Sequence, residues 1–181
     1  MTLETERLIL RPWEDSDAED LYKYAKSPEV WPAAWWMPHK SLEESREIIR
    51  KILQVPETYA MVHKKDKEVI GSIGLMKWNA SNLPLKDTEA ELWFWLWAPY
   101  WWQWLMPEAA NEMIRHWFND LNLEKIWCRS DEWNNKSQRV QEKCWFKYVE
   151  TIENVNCPLV NEIRTKIVQC LTKQERLNLK K

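Results

Sequence analysis

Residues 91–110 read ELWFWLWAPYWWQWLMPEAA, and the succession of strand, loop and helix in this stretch decides the fold. Residues 89–96 form an apolar run interrupted by Glu89 and Glu91, which predicts a largely buried strand ended by Pro99. From residue 105 to residue 121, LMPEAANEMIRHWFNDL, the apolar positions recur at helical spacing. Pro107 is tolerated in the first turn, where its missing N–H would have no intrahelical acceptor, and Glu108 suits the positive end of the helix dipole. The connecting residues are crowded with tryptophan. The whole chain of 181 residues carries fifteen tryptophans and two glycines, whereas glycine at about 7% would supply roughly 13 at this length.

Working outward, residues 7–12 (RLILRP) alternate like a half-buried strand, and residues 15–27 carry apolar positions at helical spacing. Ser41, with Glu44 three residues on, opens a second helix to residue 53, whose stripe is Ile48, Ile49, Ile52 and Leu53. Residues 58–62 and 68–76 read as two strands joined by the polar turn 64–67, an antiparallel hairpin. A short β-rich run at 123–128, a helix at 135–144 and strands at 146–152 and 163–171 follow. The order β-α-α-β-β-β-loop-α-β-α-β-β predicts an α/β chain of the α+β type with one mixed sheet. One domain is expected over residues 1–172, followed by a charged, frayed tail over 173–181.

Twenty-six basic against 28 acidic residues leave a formal charge of -2, so no global basic field argues for nucleic acid as a partner. No apolar run reaches the roughly 20 residues a membrane span requires, and the start lacks the layout of a signal peptide, so a cytoplasmic protein is expected. Cys128, Cys144, Cys157 and Cys170 show no CxxC spacing, and His39, His63 and His116 are scattered. Neither a disulfide nor a metal site is expected.

Residues 91–110 resemble the RimJ/RimL-type branch of the GNAT acyltransferase superfamily, whose strand-loop-helix reads approximately E-L-G-Y-W-L-G-x-P-Y-W-G-Q-G-L-M-P-E-A. Trp93, Trp97, Trp102 and Trp104 stand where that pattern has glycine. The same exchange recurs in PEVWPAAWW, where the resemblance expects PEVGPAAGW, and around N-x-x-S-x-R-V-x-E-K-x-G-F, which this chain matches from Asn134 to Phe146. Trp31, Trp35, Trp133 and Trp145 therefore join the set, with Trp78 and Trp117 as weaker members. Glycine at these ten positions would give an ordinary twelve glycines and five tryptophans. A bulky side chain in a tight or left-handed site costs about 1 to 3 kcal/mol. Ten of them would rival the whole stability of a domain, about 5 to 15 kcal/mol. The pattern suggests a gene whose UGA codons specify glycine and have been read as tryptophan.

The resemblance implies a GNAT fold, a central mixed, mostly antiparallel sheet flanked by helices, and an N-acetyltransferase that moves an acetyl group from acetyl-CoA to a primary amine. The acceptor would be a protein N-terminus or a small amine, no metal would be needed, and the protein would be a monomer or homodimer. With glycine at 102 and 104, successive N–H groups at the helix start could meet a pyrophosphate closely. By resemblance the amides of Trp102, Gln103, Trp104, Leu105 and Met106 hold coenzyme A, while Phe94, Trp95 and Leu96 offer backbone groups to its pantetheine arm, and an amide near Phe94 or Trp95 would polarise the thioester carbonyl.

Direct attack by a neutral amine needs a base, and Glu91 is the candidate, against the plainer reading of a solvated or salt-bridged strand carboxylate. Asp131 and Glu132 are weaker candidates. Asn134 and Ser137 match positions bordering coenzyme A, where Ser137 could give a proton to the departing thiolate; both residues also suit a helix cap. Trp36, with residues 32–35 and the helix from Ser41, would border the amine pocket or form a packing loop. His39 is a possible acid or base there or a solvated loop residue, and Cys144 reads as core rather than nucleophile. A competing reading keeps the tryptophans and makes the chain an inactive scaffold that binds by aromatic stacking.

Overall fold

The computed structural model describes residues 1–30, 36–77, 81, 83–158 and 160–179. The expectations for Trp31, Trp35, Trp78 and residues 32–35 therefore lie outside the described residues. Eight strands follow the order β1-β2-β3-β4-β5-β6-β8-β7, and the chain divides into two compact units.

The first unit comprises Met1–Gly74, Phe94–Ala109 and Pro158–Asn161. Its strands β1 (Leu3–Glu4), β2 (Leu8–Arg11), β3 (Thr58–His63) and the start of β4 (Val69–Met76) pair antiparallel, with Leu3 opposite Leu10, Ile9 opposite Val62 and Tyr59 opposite Ile73. β2 alternates buried and half-buried residues as its sequence predicts, whereas β3 is buried at all but its last position. Helix α1 (Ala18–Ala25) buries Ala18, Leu21 and Ala25, one side of the helix at three- and four-residue spacing. The Asp20 carboxylate accepts from the Val69 N–H at 2.7 Å, so a helix side chain satisfies a strand amide.

Helix α2 (Leu42–Ile48) is capped by Ser41, whose hydroxyl accepts from the Glu44 N–H at 3.1 Å. Glu44 reaches back to the N–H of Lys40 rather than of Ser41, so only half of a reciprocal capping box forms. The helix then widens into a π turn over Ile49–Leu53 that keeps Ile49 and Leu53 buried.

The second unit comprises Leu75–Trp93, Ala110–Cys157 and Glu162–Lys181. Here the first half of β5 (Glu89–Leu96) pairs parallel with β6 (Lys125–Asp131), and helix α3 (Leu105–Asn119) makes the crossover that parallel neighbours require. This ladder runs from Glu89 opposite Lys125 to Leu92 opposite Cys128, while β5 itself continues to Leu96. β8 (Glu162–Thr172) pairs antiparallel with β6 and with β7 (Lys147–Cys157), whose pairing shifts register after Tyr148 and again after Ile152. Leu92, Met113, Ile114, Phe118, Ile126, Val168 and Leu171 form its core.

Helix α4 (Asn135–Lys143) occupies its expected place. The tail predicted to fray is instead a helix, α5 (Lys173–Asn178), capped reciprocally by Thr172 and Glu175. Among the described residues, no helix is long and apolar enough to cross a membrane, and no group of three or more His, Cys, Asp or Glu is placed to hold a metal ion.

Candidate active site

After Leu96 the chain turns through Ala98–Tyr100, with Pro99 inside the turn, and reaches α3 at Leu105. Several bonds hold this loop: Trp97 N–H donates to the Ile70 carbonyl at 2.9 Å, the Trp101 indole to the Leu96 carbonyl at 2.8 Å, and the Gln103 amide to the Pro99 carbonyl at 3.0 Å. Trp102 and Trp104 have φ of 66° and 64°, in the left-handed region. That conformation costs an L residue about 1 to 2 kcal/mol and is an outlier for a bulky side chain. Their indoles are 78% and 58% exposed, so little burial compensates for the strained torsions. Trp145, between α4 and β7, repeats the pattern with φ 67° and 55% exposure.

The other suspect tryptophans divide differently. Trp97 has an ordinary φ of -65°, is fully buried, stacks on Tyr24 at 5.1 Å and donates its indole N–H to the Val69 carbonyl at 3.0 Å. Trp117 is also fully buried, Trp93 is half-buried, and Trp133 is exposed. Two core tryptophans present no face for stacking on a ligand. Gly71, one of the two glycines in the chain, shows what tight contact demands: a Cβ there would stand 2.5 Å from the Trp95 carbonyl oxygen.

Arg7 ties β-strand and loop together. Its Nε donates to Glu108 Oε2 at 2.7 Å, its backbone N–H to Glu108 Oε1 at 2.9 Å, and its Nη1 to the Gln103 carbonyl at 2.8 Å. Thr5 Oγ1 also donates to Glu108 Oε1. Burial alone would raise the pKa of Glu108, but the hydrogen bonds from Thr5 and Arg7 and the guanidinium charge outweigh it, and the net shift is downward. Glu108 therefore stays ionised in the first turn of α3, and Arg7 anchors the loop from its Gln103 carbonyl.

In the second unit the buried Glu91 has both oxygens engaged. Arg129 donates from Nε to Oε1 at 2.6 Å and from Nη2 to Oε2 at 2.9 Å, and Ser81 donates to Oε2 at 2.5 Å. This is the salt-bridged strand carboxylate of the plainer sequence reading. Asp131 is buried against two cations, accepting from Arg164 Nη1 at 2.7 Å and from Lys166 Nζ. Arg164 in turn lies over the Trp133 ring, 5.6 Å from its centroid. Glu132 is exposed.

Asn134 and Ser137 come together at the start of α4, where Asn134 Oδ1 accepts from the Ser137 N–H at 3.1 Å. Asn134 is thus the cap. The Ser137 hydroxyl does not cap: it accepts from Gln141 Nε2 at 3.1 Å and remains half-buried. Gln141 escaped the sequence reading, although its position four residues after Ser137 on a helix was the available signal.

Trp36 donates its indole N–H to the Ala25 carbonyl at 3.2 Å and meets Trp95 edge-on at 5.4 Å, packing into an aromatic cluster of the first unit. His39 is buried rather than solvated. Its Nδ1 lies 2.8 Å from Ser45 Oγ, and burial lowers its pKa against a weaker opposing effect of Glu44. Cys144 is buried, and desolvation pushes its thiol up to about 12, which keeps it protonated as a core residue.

The sequence profile of the acetyltransferase (GNAT) domain matches residues 7–147, and the chain belongs to the GNAT acetyltransferase family. It is 28% identical over 151 residues to the uncharacterized N-acetyltransferase p20 of Bacillus licheniformis, covering 81% of this chain and 82% of that one. A GNAT-family acetyltransferase from Bacillus anthracis superposes with a TM-score of 0.84 at 19% identity, over 97% of this chain and all of that one. The ribosomal-protein-S5-alanine acetyltransferase from Vibrio fischeri superposes with a TM-score of 0.76 at 18% identity, over 97% of this chain and 98% of that one. The mixed sheet flanked by helices is the fold that the resemblance implied.

Proposed function

We propose that the protein is a cytoplasmic N-acetyltransferase of the RimJ/RimL type, active as one domain over residues 1–172, which carries an acetyl group from acetyl-CoA to a primary amine. One observation carries the reading: the loop before α3 takes left-handed torsions at positions 102 and 104, the conformation that glycine supplies where a pyrophosphate must approach backbone N–H groups. The first amides of α3 have no acceptor one turn back and point along the helix dipole. Backbone N–H groups of Trp102, Gln103, Trp104, Leu105 and Met106 would hold the diphosphate, and the end of β5 at Phe94, Trp95 and Leu96 would receive the pantetheine arm.

The same torsions support glycine as the native residue at 102, 104 and 145, through UGA codons that specify it. At the remaining seven positions the proposal rests on the family resemblance. UGG codons at 102, 104 and 145 would overturn it.

In the reaction the amine nitrogen attacks the thioester carbonyl carbon and the C–S electron pair passes to sulfur. The hydroxyl of Ser137 hands its proton to the sulfur and takes a replacement from water, which receives the proton lost by the nitrogen. Asn134 fixes the helix start from which Ser137 projects. Glu91 acts as the base only if it can leave Arg129; its observed partners favour a positioning part, with water or the exposed Glu132 taking the proton. The acceptor is a protein N-terminus or a small amine, and the likeness to an acetyltransferase named for an alanine of a ribosomal protein favours the former.

Calorimetric titration of coenzyme A into protein carrying glycine at 102, 104 and 145, the positions with left-handed torsions, tests the reading. Saturable binding, weakened or lost in the protein with Trp102 and Trp104, is expected; no binding by the glycine form would overturn it.

A further inference from the structure

We infer that Gln141 is a positioning residue that keeps the hydroxyl proton of Ser137 directed outward, toward a departing thiolate. The inference rests on the reading above, in which Ser137 serves the sulfur.

Ser137 and Gln141 lie one turn apart on α4, the spacing that stacks side chains on a helix. Gln141 is fully buried, yet its side chain makes a hydrogen bond from Nε2 only, to Ser137 Oγ at 3.1 Å, and its Oε1 is buried with no hydrogen-bond partner. An orphaned buried carbonyl is destabilising, and an apolar side chain of similar size would avoid it. The amide therefore sits where packing alone would favour leucine.

Its chemistry explains what it does there. A serine hydroxyl has one hydrogen and two acceptor lone pairs. When Gln141 donates into a lone pair, the hydroxyl cannot spend its hydrogen on the same partner, and that hydrogen points away from the buried face. A donor on the oxygen also polarises the O–H and strengthens it as a donor. If the amide were turned over, Oε1 would accept the serine proton and hold it inward, out of reach of any sulfur. An acceptor-only side chain at 141 should do the same permanently.

The thiol of bound coenzyme A reads this arrangement without any knowledge of the acceptor amine. Its ionisation is followed by thiolate absorbance on the protein form that binds coenzyme A in the titration above. A hydrogen bond to a charged group makes Ser137→Ala raise the bound thiol pKa by about one unit. Gln141→Leu should raise it by roughly half as much, and Gln141→Glu by more than Gln141→Leu, since a carboxylate only accepts. The Ser137→Ala, Gln141→Leu double variant should titrate like Ser137→Ala alone. Urea unfolding separates this from a structural role, because Gln141→Leu should be as stable as the parent or more so. The inference is overturned if Gln141→Leu leaves the bound thiol where it was, or if the shifts of the single variants add in the double. Absence of coenzyme A binding by the parent protein, by contrast, would remove the underlying reading.

Discussion

Replacing Trp145 by glycine should raise stability by about 1 kcal/mol in urea denaturation, because the left-handed torsion is relieved while the largely exposed indole loses few contacts. Trp102→Gly and Trp104→Gly should act in the same direction. Trp97→Gly and Trp117→Gly should instead cost about 3 to 5 kcal/mol unless the surrounding side chains close over the space, since both indoles are fully buried. A stabilising Trp97→Gly would mean that the core around Tyr24 packs differently from the arrangement described. Glu91 offers a second contrast at this scale. Glu91→Gln leaves the buried Arg129 guanidinium uncompensated and should destabilise the fold by about 3 to 5 kcal/mol. Addition of Arg129→Met should recover much of that loss. If Glu91 were chiefly the base, turnover by the folded fraction would fall and the double variant would not restore it.

Among the elements, α5 and the loop before α3 have sharp tests. Glu175 is held down to about 2 by its hydrogen bonds from Lys147 and Thr172. A depressed folded pKa contributes stability above the ordinary carboxylate range, and that contribution is lost as the pH falls from about 4.5 toward about 2. Glu175→Ala should therefore cost about 0.5 to 2 kcal/mol at neutral pH and progressively less across that window, read by chemical denaturation at several pH values. Glu108→Gln weakens the grip on Arg7 and so on the Gln103 carbonyl. It should weaken coenzyme A binding several-fold by calorimetry while leaving α3 formed by circular dichroism.

The elements also show what a sequence can disclose. β2, α1 and α3 follow from apolar periodicity because one face of each is buried, and β5 from its apolar run because its first half is buried on both faces. β7 extends well past its expected end since its residues are almost all exposed and no alternation marks it. α5 has no apolar stripe; its signature was the cap pair Thr172 and Glu175, which the charged composition obscured.

For the whole molecule, a ligand that binds only the folded state adds stability in proportion to the logarithm of its excess. Coenzyme A at a hundred times its Kd should stabilise the glycine form by about 2.7 kcal/mol. Little or no shift is expected for the form with Trp102 and Trp104. The loop that makes this ligand plausible is legible in the sequence, because strand, loop and helix are contiguous in the chain. Partners distant in sequence were not: Arg129 meets Glu91 across 38 residues, and Arg164 and Lys166 meet Asp131 across 33 and 35. Such pairings depend on strand register, which neither periodicity nor spacing reveals.

The two register shifts in β7 bear on how the protein behaves in concentrated solution. β7 ends the strand order, so its outer edge could template a strand from another molecule and seed precipitation. Val149 is left unpaired, and Glu153 with the left-handed Asn154 faces Thr165 alone, so no uninterrupted paired run exceeds three residues. The edge is thereby crimped against edge-to-edge association. Deleting Val149 would remove the first of the two shifts and join the paired runs on either side of it, and aggregation followed by light scattering should then rise with protein concentration where the parent stays clear.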